Sequence, residues 1–523
     1  MQKHLSNRIV FNNGCGKRAL GFALILIFAS AFCQLPIASA SNRLRTSIMG
    51  DTVNVDPANL SWPQDRMVAQ QVYEGLFEFD YAGSTPYKPV PRLVENYEIS
   101  DDMKVITLHL RKGVEFHSGF GEMTSQDVVF TLKRHFDPKV ASMEKAQLGD
   151  VEEVEAVDKY SVKIFLKTPS ALTFILNLAW QNSGFVMSRK ACEKLGDRIS
   201  STPIGTGPYF FVEWLAGEKI VLKKFEKYWG FQGQFDEIEF WIVPNETVAL
   251  GALEKGDLDV VSITQSGSYE KATALKNIRI VEATGTAFAY YQFINHQHDA
   301  MKDLRVRRAL AHAIDMEGIS NRLGPMFQKW PSPLGSALLG STTEFWKYEY
   351  DVEKAKKLLG EAGYSNGFNL DLGYTKGYLY ERVALELANS WKKLGNINVK
   401  LEEIEQAVFF TKIGKGQFVV ANLAVSRLAP FLYAQFHMSG SPRNFGKYTN
   451  PKLDEAIENA KVAKSEEEAR FWWREFQRIS SEDVALFYMG NQKSLAAVQN
   501  DIQGIILTPY LSLMDFDKAY RQR

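Results

Sequence analysis

The chain has 523 residues, with 61 Lys+Arg against 61 Asp+Glu. That balance, without any dense basic run, argues against a nucleic-acid partner. The three cysteines are too few for a stapled scaffold, and the length predicts two or more domains with substantial cores.

Met1 to Ala40 reads as a secretory leader. Lys3, Arg8, Lys17 and Arg18 form a basic start, Ala19 to Ala31 an apolar core too short for a spanning helix, and Ala38-Ser39-Ala40 a small-residue cleavage pattern. Cleavage after Ala40 is expected, since bulky Phe32 before Cys33 disfavours a lipidated start. The leader takes four of the 61 basic residues and no acidic ones, leaving 57 against 61, a formal −4, with Cys192 as the remaining thiol. No second apolar run is long enough to span a membrane, so the mature protein is expected to be exported and soluble.

In the mature chain, Arg43 to Val55 reads as a strand and its exit, followed by the turn-rich VDPANLSWPQD. Val68, Val72 and Leu76 then recur at helical spacing. KVITLHLRKG and YSVKIFLK alternate Ile106, Leu108, Leu110 and Val162, Ile164, Leu166 as half-buried strands around the helix SQDVVFTLKRHF. This order lacks a regular βαβα rhythm and predicts an α+β subdomain. The second half is richer in helix. Val306, Ala309, Leu310, Ala313 and Ile314 form one stripe, and DVEKAKKLLGEAG runs from an Asp351 cap to Gly363. YERVALELANSWKKLG leads into the strand INVKLEEIE as in one unit of an α/β sheet, and SEEEARFWWREFQRI opens on a Ser465–Glu468 capping box.

Six segments in order carry a resemblance: the early DPANL…VYEGLFEFD, then STPIGTGPYFFVEW (Ser201 to Trp214), ALEKGDLDVV (Ala252 to Val261), LRVRRALAHAID (Leu304 to Asp315), YDVEKAKKLLGEAGYSNGF (Tyr350 to Phe368) and NPKLDEAIENA (Asn450 to Ala460). Together they resemble the extracytoplasmic solute-binding proteins of oligopeptide, dipeptide and nickel ABC importers, over essentially the whole mature chain. The resemblance implies an α/β, two-lobe periplasmic binding protein fold, with an extra α+β subdomain in the first lobe and a hinge between the lobes. It places a signal peptide at 1–40, lobe I at 41–285 completed by 490–523, and lobe II at 286–489. The crossings fall near Thr284 to Ala289 and near Gly490 to Ser494. It implies a monomer without catalytic role, cofactor or metal, which hands a small ligand to an inner-membrane ABC permease. A chemoreceptor role is compatible with that. STPIGTGPYFF reads as a structural glycine turn.

One stretch departs from the family pattern. Gln406 to Lys452 contains no Asp or Glu, yet Arg427 sits within the apolar run FVVANLAVSRLAPFLYAQFHM. Peptide-binding members carry an acidic residue in this neighbourhood for the ligand's amino terminus. An arginine there, expensive to bury without an anion, reverses the preference toward phosphate or carboxylate. A sugar-phosphate opine (agrocinopine-type) solute would suit such a site, with a peptide as the alternative. The candidate ligand-binding residues are Arg427, Ser426, Trp62 for stacking, Tyr290 just past the crossover, and His437. Each also has an ordinary structural reading: a protein carboxylate for Arg427, a plain loop for Ser426, core packing for the others. A secreted glycosidase with two cleft carboxylates is the competing class. Catalytic signatures such as H-E-x-x-H, C-x-x-C, a Walker loop or G-x-S-x-G are absent from the sequence.

Overall fold

A computed structural model describes residues 42–522 except 82, 84–87, 146, 232, 427 and 428, and leaves out the side chains of 181, 406 and 407. The leader with its cleavage pattern, and Arg427, therefore lie outside the described residues. Among those described, no helix is long and apolar enough to cross a membrane.

The strand RLRTSI, Arg43–Ile48, is the centre of a seven-stranded sheet ordered Tyr209–Leu215, Lys219–Lys224, Glu237–Ile242, Arg43–Ile48, Val260–Ile263, Leu495–Gln499, Ile278–Glu282. It runs parallel to both neighbours, Leu44 opposite Ile238 and Thr46 opposite Val260. Their carboxyl ends therefore open on the same side, the side where α/β sheets receive ligands.

A six-stranded sheet is ordered Phe327–Lys329, Leu486–Gln492, Phe288–Ile294, Val420–Ser426, Phe368–Tyr374, Ile397–Glu403. FAYYQFI and LFYMGNQ at its centre are buried along their whole length, which identifies strands covered on both faces. The helix Tyr380–Lys392 connects two parallel strands, Phe368–Tyr374 and Ile397–Glu403, forming the expected α/β unit. Val306, Ala309 and Leu310 of the helix Leu304–His312 are buried against this sheet, with Ala313 and Ile314 just beyond its end. Each such fully buried aliphatic chain contributes about 1.5–3 kcal/mol if it is Val, Leu or Ile. Asp351 caps the next helix by accepting from the Lys354 amide at 2.8 Å.

The third sheet, Val94–Ile99, Val105–Leu110, Ser161–Leu166, Val151–Ala156, is antiparallel. Ile106, Leu108, Leu110, Val162, Ile164 and Leu166 all point into the core. This is the alternation read from the sequence, and these side chains share one core with Leu44, Ile238 and Val260 of the first sheet.

The chain passes from the first sheet to the second between Glu282 and Phe288 and returns between Gln492 and Leu495. The strand Leu486–Gln492 is the last of the second sheet in chain order. In STPIGTGPYFF, the Gly207 amide donates to Val72 O at 2.9 Å, and a Cβ on Gly207 would lie 2.7 Å from Gln71 O. Close approach of two backbones explains the glycine, and the helix end it braces belongs to Pro63–Val72, which begins beside Trp62.

Candidate functional site

Where the parallel strands of the first sheet end, a cleft of about 390 Å³ opens toward the second sheet. The first-lobe wall is built from Ser47 and Ile48, the turn Ser61-Trp62-Pro63-Gln64, Glu246, and Ser262, Thr264 and Gln265. Lys376, Gly377, Tyr378 and Tyr380 line it from the second lobe, and Tyr510 and Ser512 from the C-terminal segment. Aromatic rings, hydroxyls and amides dominate, a surface suited to stacking and hydrogen bonding.

Glu246 is the one carboxylate among these lining residues. It opens the helix Glu246–Lys255 behind the capping Asn245 and is buried. Its oxygens accept from Thr264 N at 3.1 Å, Thr264 Oγ1 at 2.6 Å and Gln265 N at 3.3 Å. Gln265 is itself the N-cap of the helix Ser266–Thr273, so two helix N-termini converge on this negative charge and stabilise it. The stretch Gln406 to Lys452 has no acid, but the cleft has one in Glu246.

Trp62 lines the cleft with 43% of its surface exposed. The turn that carries it is held from behind by Arg66, 5% exposed, which donates to Leu60 O at 2.7 Å, Ser61 O at 3.1 Å and Asn182 Oδ1 at 3.1 Å. The Arg66 guanidinium also lies 5.5 Å from the Tyr510 ring centre and 5.6 Å from that of Trp180. Opposite, Tyr378 adopts φ 45°, a left-handed conformation uncommon for a residue with a Cβ. Burial, reinforced by Tyr510, pushes its hydroxyl up to about 12, so it remains a donor. Lys376 pairs with Glu403 at 2.9 Å and is 77% exposed at the rim.

This cleft can bind and enclose a small solute between aromatic faces and hydrogen-bonding groups. A second contact joins the lobes away from it. Thr173 Oγ1 donates to Lys461 O at 2.9 Å and Lys461 Nζ lies 3.2 Å from Asp150 Oδ2.

Comparison with known proteins supplies the family. The model of bacterial extracellular solute-binding proteins, family 5 Middle, matches residues 88–447. The chain is a family 5 solute-binding protein. It is 26% identical over 481 residues to heme-binding protein A of Haemophilus influenzae, covering 84% of this chain and 85% of that one. It is also 26% identical over 477 residues to the dipeptide-binding protein of Escherichia coli, covering 84% and 87%. Among solved structures, the periplasmic binding protein DppA of Helicobacter pylori in complex with the peptide STSA superposes with a TM-score of 0.78 at 25% identity, covering 92% of this chain and 98% of that one. The two-lobed α/β fold and the role in solute import by ABC transporters follow; a glycoside hydrolase finds no support.

Of the residues singled out in this solute-binding protein's sequence, Trp62 reaches the cleft. Ser426 ends the strand Val420–Ser426 opposite Phe288, whose ring lies 5.1 Å from that of Tyr378, so the strand end adjoins the second-lobe wall. Tyr290 and His437 lie in the core, the structural alternative given for each. Tyr290 is fully buried; its hydroxyl donates to Gln492 Oε1 at 2.7 Å and accepts from Leu379 N at 3.0 Å. Because Gln492 Nε2 reaches Thr264 O at 2.9 Å, Tyr290 braces both walls from beneath. His437 is fully buried with Nε2 2.7 Å from Tyr488 Oη and Nδ1 3.2 Å from Tyr433 O. Tyr290 faces inward because its strand is covered, and His437 because the turn after the helix Pro430–Ala434 packs beneath Tyr488, which local sequence does not reveal.

Sequence reading missed Glu246, Arg66 and the Lys376–Tyr380 turn. An acid in a first helical turn and an arginine inside an amphipathic helix are ordinary features, and only the Gly377-Tyr378 turn beside Tyr380 offered a local signal.

Burial pulls His437 down to about 3, below its ordinary value near 6.5. The unfolded chain therefore binds a proton that the folded one refuses between these values, and the stability from this site is lost as pH falls below about 6.5. His437→Gln should remove this penalty, flattening the acid limb of the stability curve by about 1.4 kcal/mol per pH unit between about pH 6 and 4. Urea melts of both proteins across that range measure it; parallel acid limbs would refute the assignment.

Proposed function

We propose that this solute-binding protein captures a small anionic solute, sugar-phosphate- or opine-like, between its two lobes and delivers it to an inner-membrane ABC permease after export as a monomer. What supports the reading is the composition of the stretch Gln406 to Lys452, which holds Arg427 and no acid, together with Lys376, paired with Glu403, at the rim of the cleft. Arg427, with Ser426, is the assigned anion-binding group, since a planar guanidinium matches phosphate and carboxylate oxygens in pairs. Trp62 and Tyr378 provide stacking faces, and the serine, threonine and glutamine side chains of the first lobe provide hydroxyl and amide partners.

A peptide is the second reading. It is favoured by the dipeptide-binding relative from Escherichia coli, by the peptide bound in the Helicobacter pylori protein, and by Glu246, a carboxylate among the lining residues. Mass spectrometry of ligand released from gently purified protein decides between them. A phosphate- or carboxylate-bearing polyol is the expected mass; a short peptide would overturn the anionic assignment and leave capture and delivery intact.

A further inference from the structure

A second cavity, about 100 Å³, lies at the seam between the lobes, apart from the main cleft. Its volume is about three water shares of ~30 Å³. Gln147, Asp150, Phe174 and Asn177 line it from the first lobe; Phe431 and Lys461 line it from the second.

The polar atoms here are unbalanced. Asn177 is 4% exposed and uses its amide N–H on Gln147 O at 2.9 Å. Neither its Oδ1 nor Oε1 of Gln147 has a hydrogen-bond partner among the described residues, although both are buried. A buried acceptor without a donor is costly, and two beside one cavity mark a place built for donors. The lone carboxylate, Asp150, is already neutralised by Lys461 Nζ at 3.2 Å, so a second full cation would be repelled. The Lys461 ammonium also lies 5.9 Å from the centre of the Phe431 ring.

We infer that this cavity is a binding site for a neutral polyol fragment, a vicinal diol on a short carbon chain. Its two O–H groups donate to Asn177 Oδ1 and Gln147 Oε1, its oxygens accept from Lys461 Nζ, and its C–H face packs on Phe174 and Phe431. Amide acceptors between aromatic rings suit a hydroxylated chain and leave an alkyl chain with two orphaned carbonyls. Because both lobes line the site, an occupant stabilises the closed arrangement by its differential affinity. The diol is either a free polyol or the polyol end of the transported solute. The second source rests on the anionic polyol reading above; the site itself does not.

Erythritol titrated into the mature protein, followed through the side-chain amide resonances of Asn177 and Gln147, tests the assignment. Saturable shifts are expected with erythritol and not with 1-butanol. Asn177→Leu should weaken erythritol by about tenfold or more, each decade being about 1.4 kcal/mol, and Gln147→Met provides an independent variant should the first fold poorly. Protein purified with its natural solute in place refuses erythritol if the solute's own end fills the cavity, and still binds it if the polyol is a separate ligand. Absence of saturable shifts, equal shifts with 1-butanol, or undiminished binding in both variants would show a solvent-filled void and overturn the inference.

Discussion

Arg427→Ala is expected to weaken an anionic solute by about tenfold to several hundredfold. A bidentate, charge-assisted contact contributes roughly 1.5–3 kcal/mol, more where water is excluded, and each decade of affinity is about 1.4 kcal/mol. Arg427→Lys should recover only part of the loss, because a point charge cannot reproduce the planar fork. Calorimetric titration of wild type and both variants, alongside melting of the ligand-free proteins, reads the effect. Intact affinity in a variant that melts early would make Arg427 a partner of a protein carboxylate. Peptides would then return as the default solute.

Glu246→Leu is expected to act on stability and binding together. It orphans the Thr264 amide, the Thr264 hydroxyl and the Gln265 amide, which now reach the carboxylate at 3.1, 2.6 and 3.3 Å. An unsatisfied buried donor costs about 1–3 kcal/mol, so a loss of about 3 kcal/mol or more is expected in urea unfolding. Affinity should fall as well, because Thr264 and Gln265 form part of the cleft wall. Glu246→Gln keeps one acceptor oxygen and should lie between the two. A leucine variant as stable as wild type would mean that the three donors find water, and the carboxylate would lose its structural role.

The elements most legible in the sequence were those whose burial pattern is periodic. The alternation Ile106, Leu108, Leu110 and the stripe Val306, Ala309, Leu310 each expose one face to a core and the other to water, so their side chains record the environment of the fold. The helix-to-strand step ending at Gly395 was equally readable, and Gly395 takes φ 81° as a helix terminator should. Trp62 was legible as a stacking candidate because prolines and turn residues around it expose a large ring. Tyr290 and His437 were left between two readings, because hydrogen-bonding aromatic side chains look alike whether they face a ligand or a neighbouring strand. Their burial depends on what covers them, and that cover comes from Gln492 and Tyr488, far along the chain.

By itself the sequence determined the class of protein through the resemblance that its six ordered segments carry, while the charge balance and the mixed α/β elements rest on composition and short-range periodicity. The acid-free stretch around Arg427 was also plain there, since counting charges needs no coordinates. Only the tertiary structure decided which residues share the cleft. Glu246, Trp62, Tyr378 and Tyr510 are far apart in sequence and meet because the central strand Arg43–Ile48 runs parallel to both neighbours and the chain crosses twice between the sheets. The seam cavity is likewise a tertiary feature. Asn177 and Lys461 are ordinary helical residues until two lobes bring a deficit of donors and an ammonium group together, and hydrogen-bond satisfaction is a property of the assembled fold rather than of any segment.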